Sequence, residues 1–568
     1  MNRLSICGAL LVSISAHTAR NPASAEEAPR LVVVVVVDQM RRSEIDTLGP
    51  HLTGGFRRLL DQGARLDGHY GQQNTYTGPG HALILSGSYG YLNGIFQNKW
   101  FNRATRRSES MLFDEQSQII NQGPVEPGDE TSPRNFYGST VGDELRMSNG
   151  GKSKVVSLAV KERGALLLGG RTGTAYFFGE RTGDWTTSTY YMNALPPWVV
   201  TFNARRLADQ WFGKEWARCL PDAVYGPEPD DVPWEGDLVG LGRTFPHKIT
   251  GGEQKLTGKY WEAFMTSPFA IDHTFEFARA AVEGEDLGED EITDILAISV
   301  SPTDFIGHAF GTYSHEVKDS FFRTDRALGE FFTYLDNRLG ERGWIAMVTA
   351  DHGSAQPPER ARRLGLYGER VKKAALKTAI TAALDARFGK GDWVLALEDP
   401  SVYLNRKLID ERKLDATAVE TAAGEAVLTL PGFLGYATRT QLLHGNLPPV
   451  ATSRAIARSF FAPRAGDVLL VQAPYSFWGK YGEQDFGSNH GSFYRYDTDV
   501  PVFFRGAPFA AGYFGETAMV DLAATLARLL GVNQPASCEG QPIGEILLTP
   551  AAAPGTSKPA PRLRSRGD

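Results

Sequence analysis

The sequence has little cysteine, no long apolar run after its first residues and no excess of basic charge. Three cysteines among 568 residues leave room for at most one disulfide. Beyond the N-terminal segment, no apolar run reaches the roughly 18 residues of a membrane span. The 59 lysines and arginines stand against 66 acidic residues, a formal net charge of −7. These absences argue against a membrane-embedded protein and against nucleic acid as a bulk partner, which a basic excess would attract.

The N-terminal 25 residues have the layout of a secretory signal peptide. Met1-Asn2-Arg3 is a short basic start, Leu4–Ala16 is mostly apolar, and Ala23-Ser24-Ala25 fits a cleavage site. A short buried helix is the alternative. We therefore expect an exported protein, periplasmic or secreted, without a membrane anchor in the mature chain. Cleavage would remove one cysteine, and the sequence does not decide whether the other two, Cys219 and Cys538, form a disulfide.

Short, β-branched apolar runs alternate with helical patterns along the chain. The runs that we predict to be strands are Leu31–Val37, Val155–Val160, Ile295–Val300, Trp344–Val348 and Val500–Phe504, and a helix is predicted over Thr517–Leu530. Near-continuous apolar strands separated by helices indicate an α/β fold, with a mostly parallel central sheet and helices on both of its faces. Such sheets bind ligands beyond the carboxyl ends of their strands.

One domain with insertions accounts for this pattern better than several independent domains. The composition is that of a globular protein, with 42% hydrophobic and 22% charged residues. We expect a single domain over residues 26–548, with cap segments inserted near residues 172–290 and 356–464. Residues 549–568 are rich in Pro, Ala and Ser, and we expect a disordered tail there.

Aspartates and histidines follow the predicted strands, where a parallel sheet places its ligand sites. Asp38 follows the first strand directly, and Asp351-His352-Gly353 follows the fourth. Asp304 and His308 are four residues apart after another strand, so both would lie on one face of a helical turn. His490 lies in a loop of small residues. Each fragment alone could be structural, but three Asp and three His together suffice for two metal sites.

A threonine opens a further motif. Thr75-Tyr-Thr77-Gly-Pro-Gly-His81 precedes the apolar helical pattern Ala82–Ser86. Thr77 would lie at the N-terminus of that helix, where free N–H groups and the helix dipole attract anions. A plain N-cap threonine is the alternative.

In combination these motifs resemble the alkaline phosphatase superfamily. The resemblance is to the branch with a threonine nucleophile, which includes nucleotide pyrophosphatase/phosphodiesterases and threonine-dependent bacterial alkaline phosphatases. It implies an alkaline phosphatase-like core, a nucleophilic Thr77 and two Zn²⁺ per chain. The implied ligands are Asp304, His308 and His490 for one zinc, and Asp38, Asp351, His352 and the Thr77 oxygen for the other. His81 is not a ligand in that family, so we expect it to be structural.

The resemblance also supplies candidate phosphate contacts. Asn98 matches the family's phosphate-contacting asparagine. Lys161 and Arg163 match the Lys-x-Arg of the threonine-type monoesterases, which the diesterase branch lacks. If strand geometry continues past residue 160, Lys161 and Arg163 point to one side, where two cations would satisfy the extra charge of a monoester dianion. No Cys-x-Pro-x-Arg stands at Thr77, which disfavours a formylglycine sulfatase.

We therefore expect an exported, zinc-dependent alkaline phosphatase that acts on small-molecule phosphate monoesters. The reaction would pass through a phosphothreonine and release inorganic phosphate, with side activity on phosphodiesters. A phosphodiesterase or nucleotide pyrophosphatase of the same superfamily is one alternative, and a zinc-binding protein without catalysis is another. The oligomeric state, and whether the first insertion's aromatic residues stack a substrate ring or form core, stay open. Those aromatic residues are Trp185, Tyr190, Tyr191 and Trp198, and the histidines without an assigned role are His273, His315 and His444.

Overall fold

The structure is a computed structural model, and it describes residues 28–548. The expected signal peptide (residues 1–25) and tail (residues 549–568) lie outside the described residues. Cys219 and Cys538 are both free thiols, so no disulfide joins them. Across residues 28–548, every helix is too short or too polar to cross a bilayer.

The strands lie in one large sheet and several small ones. They are β1 (Leu31–Val37), β2 (Ala64–His69), β3 (Lys99–Asn102), β4 (Arg107–Ser110), β5 (Val155–Ala159), β6 (Thr174–Phe178), β7 (Trp185–Thr186), β8 (Glu215–Trp216), β9 (His247–Lys248), β10 (Asp294–Val300), β11 (Trp344–Thr349), β12 (Arg370–Val371), β13 (Val394–Glu398), β14 (Ser401–Leu404), β15 (Phe433–Thr438), β16 (Val468–Gln472), β17 (Phe477–Trp478), β18 (Asp499–Arg505) and β19 (Gly512–Ala518).

The helices alternate with these strands along the chain. They are α1 (Arg42–Leu48), α2 (Gly55–Gln62), α3 (Thr77–Ser86), α4 (Gly90–Asn93), α5 (Val141–Ser148), α6 (Glu162–Gly169), α7 (Pro197–Ala204), α8 (Gly258–Met265), α9 (Phe269–Gly284), α10 (Pro302–Phe310), α11 (His315–Leu339), α12 (Pro358–Arg363), α13 (Lys373–Phe388), α14 (Arg406–Glu411), α15 (Ala416–Val427), α16 (Arg439–His444), α17 (Ala451–Arg458), α18 (Arg495–Thr498) and α19 (Asp521–Leu530).

The central sheet has nine strands in the order β19-β2-β18-β11-β1-β10-β5-β6-β7. Among these strands, β18 and β7 oppose the direction that the others share. Helices α3, α6 and α19 form one packed group on the sheet, and α2, α9 and α11 form another. β1 is fully buried between β10 and β11, which explains its unbroken run of apolar, β-branched side chains. The mostly parallel α/β architecture predicted from the sequence is confirmed.

Two predicted elements near the C-terminus need correction. The helix expected over Thr517–Leu530 begins later, at Asp521. The preceding residues, Gly512–Ala518, instead pair in parallel with β2 as an edge strand of the central sheet. The strand predicted at Val500–Phe504 is present, but it runs antiparallel to both of its neighbours.

The expected insertions differ in how they join the core. The segment near residues 172–290 starts with β6 and β7, which extend the central sheet, and its residues after Thr186 lie outside that sheet. The segment near residues 356–464 contributes β13, β14 and β15 to a separate antiparallel sheet. That sheet is completed by β16, beyond residue 464, and packs with α13 and α15 around its own apolar core.

Two aromatic residues of the first segment, Trp185 and Trp198, belong to or pack against the protein core. Trp185 is fully buried and stacks on Phe277, with ring centroids 4.0 Å apart. Its indole Nε1–H donates to His273 Nε2 at 2.9 Å. Burial lowers the pKa of His273 to about 3, which keeps this ring neutral and able to accept. Trp198 packs edge-on against Tyr176 in the same cluster.

We expect Trp185→Ala to destabilise the protein rather than weaken substrate binding. Removing a buried aromatic side chain lowers the free energy of unfolding by about 3–5 kcal/mol. Urea unfolding of the variant measures this loss, and Tyr190→Ala, at a partly exposed position, serves as the control with a smaller loss. A Trp185→Ala protein with native stability but a raised KM would contradict the assignment of Trp185 to the core.

Candidate active site

The aspartates and histidines predicted from the sequence converge beyond the carboxyl ends of three adjacent parallel strands. Asp38 follows β1, and Asp351 and His352 follow β11. Asp304 and His308 lie on α10, which begins two residues after β10 ends. Because β11, β1 and β10 are neighbours, these side chains meet at one edge of the sheet. His490 reaches the same place from the loop before α18.

One group of candidate ligands consists of Asp38, Asp351 and His352. Their donor atoms lie within 4.8 Å of one another. His352 Nε2 is 3.5 Å from Asp38 Oδ1 and 3.2 Å from Asp351 Oδ2. The hydroxyl oxygen of Thr77 is 3.4 Å from the same His352 nitrogen. The structure therefore brings together all four residues of the second predicted ligand set.

A second group adjoins the first. Donor atoms of Asp304, His352 and His490 also lie within 4.8 Å of one another. Asp304 Oδ1 is 3.5 Å from His490 Nε2 and 3.3 Å from His308 Nε2. The rings of His352 and His490 stack with centroids 3.6 Å apart. The predicted ligands His308 and His490 thus both lie near the Oδ1 oxygen of Asp304. His352 belongs to both groups.

The carboxylates of this cluster need positive charge. Asp38 Oδ1 and Asp351 Oδ2 are buried and have no hydrogen-bond partner within the described chain. Burial, together with the nearby charges of Asp304 and Asp351, raises the pKa of Asp38 well above its usual range. Lys161 Nζ donates to Asp38 Oδ2 at 2.7 Å and to Asp304 Oδ2. One ammonium faces three carboxylates, so these residues fit divalent cations as the missing charge.

The histidines present the form that binds metal. Each directs Nδ1 to a backbone carbonyl oxygen, which places the proton there and leaves the lone pair on Nε2. Burial lowers the pKa of both His308 and His352 to about 3, so these rings are neutral at physiological pH. The Nδ1 partners are Ser488 O at 2.8 Å for His308, Gly353 O at 2.9 Å for His352 and Thr75 O at 2.7 Å for His490.

Gln39 connects the two ligand groups, and sequence reasoning missed it. Its backbone N–H donates to Asp351 Oδ1 at 3.2 Å, and its side-chain Nε2 donates to Asp304 Oδ1 at 2.8 Å. Its φ of 68° is in the left-handed region, which is rare for a residue other than glycine. A Cβ on Gly307 would overlap the Gln39 side-chain oxygen. The only signal in the sequence was the position of Gln39 directly after Asp38.

His81 holds the Thr77 turn against the metal-ligand cluster. It is fully buried, and its Nδ1 lies 2.8 Å from the Thr77 carbonyl oxygen and 3.2 Å from Asp351 Oδ2. Its Nε2 is 2.9 Å from the hydroxyl of Ser299 on β10. These contacts support the structural role expected for His81, because they fix the backbone of the candidate nucleophile relative to β10 and Asp351.

Thr77 is the first residue of α3, as the sequence predicts for its helix N-terminus, and it lines a cavity of about 330 Å³. Asn98 lines the same cavity, and its Oδ1 accepts the backbone N–H of Gly78 at 2.8 Å. With Oδ1 occupied in this way, the Asn98 NH₂ group remains to donate into the cavity. Arg163, His308 and His490 also line this space.

The strand geometry assumed for Lys161 and Arg163 is wrong, because the strand does not continue past residue 160. β5 ends at Ala159, Lys161 caps α6, and Arg163 lies in the first turn of that helix. Arg163 lines the cavity, and Lys161 contacts the carboxylates of Asp38 and Asp304. Although burial lowers the pKa of Arg163, the charges of Glu162, Asp38 and Asp304 raise it, so both cations act on the same carboxylates.

Comparison with known proteins places this geometry among phosphoryl-transfer enzymes. Residues 32–493 match the family described as type I phosphodiesterase / nucleotide pyrophosphatase. Alkaline phosphatase PafA of Elizabethkingia meningoseptica is 31% identical over 91% of this chain and 94% of its own. A Myroides odoratus protein named calcium-transporting ATPase is 32% identical over 92% of this chain and 95% of its own. The crystal structure of wild-type PafA superimposes with a TM-score of 0.85 and 30% identity, covering 92% of this chain and 99% of that one.

We expect Gly80→Ala to damage the site through packing alone. An added Cβ would overlap the carbonyl oxygen of Asp351 and lie 2.9 Å from Asp351 Cβ. Such overpacking costs about 1–3 kcal/mol and would shift either α3 or Asp351. The free energy of unfolding measured in urea and the bound-metal content should both fall in this variant. Gly258→Ala is the matched control, since its Cβ would meet no described atom within 4 Å. Native stability and native metal content in Gly80→Ala would refute the close approach of α3 to Asp351.

Proposed function

This chain belongs to the type I phosphodiesterase / nucleotide pyrophosphatase family and resembles its alkaline phosphatase members. We propose that it is an exported zinc-dependent phosphate monoester hydrolase. The observation that carries the proposal is the position of Thr77. Its hydroxyl lies beside the ligand group of Asp38, Asp351 and His352, at a cavity that also presents Asn98 and Arg163.

Two divalent cations per chain fit the ligand groups, and we propose zinc for both. Aspartate oxygens and neutral imidazole nitrogens are ligands that zinc accepts. The proposed ligands are Asp304, His308 and His490 for one ion, and Asp38, Asp351, His352 and Thr77 for the other. When bound, such ions lower the pKa of a ligand oxygen and stabilise the negative charge of the phosphoryl group.

The proposed reaction proceeds in two displacements at phosphorus. The Thr77 hydroxyl gives up its proton as its oxygen bonds to phosphorus, and the ester oxygen leaves and gains a proton. The resulting phosphothreonine is then hydrolysed by water, which restores Thr77 and releases inorganic phosphate. His81 holds the Thr77 backbone during both steps through its hydrogen bond to the Thr77 carbonyl oxygen.

Asn98 and Arg163 would bind the non-bridging oxygens of the phosphoryl group. The Asn98 NH₂ group is a neutral donor, and the Arg163 guanidinium is a forked cation suited to a dianion. Arg163 Nε is buried without a hydrogen-bond partner in the described chain, and the Glu162 carboxylate is 3.6 Å from its Nη1. We keep Lys161 as a second cation of the site, acting by its charge from beside Asp38 and Asp304.

A phosphodiesterase is the second candidate function, because the matched family is described by that activity. The position of Arg163 favours a monoester substrate over a diester. A diester has a carbon substituent in place of one charged oxygen, and a buried cation facing that substituent would be left without a partner. A third hypothesis, a metal-binding protein without catalysis, does not account for a nucleophilic side chain placed beside both ligand groups.

The test is a comparison of kcat/KM for a phosphate monoester and a diester with the same leaving group, using zinc-loaded protein. We expect a preference for the monoester of about 100-fold or more, or about 2.7 kcal/mol of transition-state discrimination. Arg163→Ala should reduce this preference at least tenfold. Arg107→Ala, an exposed arginine on β4, should leave it unchanged.

The other outcomes separate the alternatives. A preference for the diester would move the protein to the phosphodiesterase function with the metal site intact. Wild-type protein that binds zinc but hydrolyses neither ester would support the metal-binding hypothesis. Full activity in Thr77→Ala would remove Thr77 as the nucleophile.

A further inference from the structure

Three lysines line the cavity above Thr77 and come from separate parts of the chain. Lys99 begins β3, Lys373 begins α13, and Lys480 lies in the 3₁₀ turn Gly479–Gly482. Lys99 directly follows Asn98. Lys373 lies close to the 3₁₀ turn that holds Lys480, because a Cβ on Gly479 would be 3.6 Å from the Lys373 Cε. Both the second insertion and the segment after Thr77 therefore contribute cations to one cavity.

Within the described chain, these lysines form no ion pair within contact distance, although Lys373 lies near Asp399 and its charge acts on that carboxyl. None of the three makes an ion pair within 4.0 Å or donates a side-chain hydrogen bond to another described residue. Lys480 Nζ lies 5.4 Å from the centroid of the Tyr481 ring, a weak attraction at an exposed site. Lys161, in contrast, is held between two carboxylates. Lys99 and Lys480 are thus free to bind an anion in the cavity, and Lys373 can join them because it forms no direct ion pair with Asp399.

The cavity is more positive than the chain as a whole. Arg163 and the three lysines face two acidic residues, Glu398 and Asp399, whereas the complete chain carries a net charge of −7. Glu398 accepts a hydrogen bond from Ser108. Burial raises the pKa of Asp399 to about 7, against the opposing effects of the Tyr76 hydroxyl and the Lys373 charge, and so reduces its negative charge near neutral pH. A cleft of local positive charge in an acidic protein attracts anionic ligands.

The transferred phosphate leaves these lysines unused. Under the proposed function, Asn98 and Arg163 bind its oxygens next to Thr77. The lysines are then available to contact the remainder of the substrate, which is the leaving group. Ammonium groups bind phosphate strongly as point charges and without a fixed geometry. A leaving group that carries its own phosphate matches that chemistry.

We infer that Lys99, Lys373 and Lys480 form a second anion subsite that favours esters bearing a further phosphate on the leaving group. The inference rests on the proposed function and names its preferred substrate class. Hydrolysis breaks the P–O bond of the phosphate at Thr77, and the product alcohol leaves with its second phosphate intact.

The test compares fructose 1,6-bisphosphate with fructose 6-phosphate by initial release of inorganic phosphate. The measured quantity is the ratio of kcat/KM for the bisphosphate to that for the monophosphate. We expect the double variant Lys373→Met, Lys480→Met to lower this ratio at least tenfold, because methionine keeps the stem but removes the charge. Lys390→Met, at an exposed lysine outside the cavity, should preserve the wild-type ratio. Raising the salt concentration to about 1 M should lower the wild-type ratio, since exposed charges are screened.

The outcomes distinguish this inference from the proposed function. If the wild-type protein hydrolyses the monophosphate but the double variant keeps the wild-type ratio, the lysine subsite is overturned and the hydrolase is not. If the zinc-loaded wild-type protein hydrolyses neither sugar phosphate nor any simple monoester, the proposed function fails and the subsite fails with it.

Discussion

Repulsion among three buried carboxylates is the constraint on which the site depends. Asp38, Asp304 and Asp351 lie together with almost no access to water, and one ammonium, Lys161, cannot neutralise them. Burying unpaired charge costs several kcal/mol per ion. The arrangement becomes favourable when cations complete it, and the neutral imidazoles around it offer the lone pairs that such cations need. Stability and chemistry therefore rest on the same interaction.

The fold keeps these groups in place through rigid elements. Parallel strands deliver Asp38 and Asp351 to one edge, and α10 places Asp304 beside them. Gln39 and His81 then tie the carboxylates and the Thr77 turn to one another by hydrogen bonds. The site thus has few parts that can move independently, as catalysis by positioning requires.

The strands and the residues at their ends could be predicted from the sequence because both depend on local patterns. Asp38 and Asp351 are recognisable since each directly follows a buried apolar run. The backbone conformation at Lys161 and Arg163 could not be predicted, because it depends on where β5 gives way to α6. Gln39 carried no signal beyond its position after Asp38, since its role comes from partners more than 250 residues away in the chain. The edge strand Gly512–Ala518 was missed because pairing with β2 outweighed its weak local preference.

The central claim is that phosphoryl transfer passes through Thr77. The most direct measurement is an acid quench of the zinc-loaded enzyme during turnover of a labelled phosphate monoester, followed by peptide mapping with mass spectrometry. The account predicts phosphate on Thr77 in the wild-type protein and none in Thr77→Ala. Rapid turnover with no covalent phosphate, or with phosphate on another residue, would contradict it.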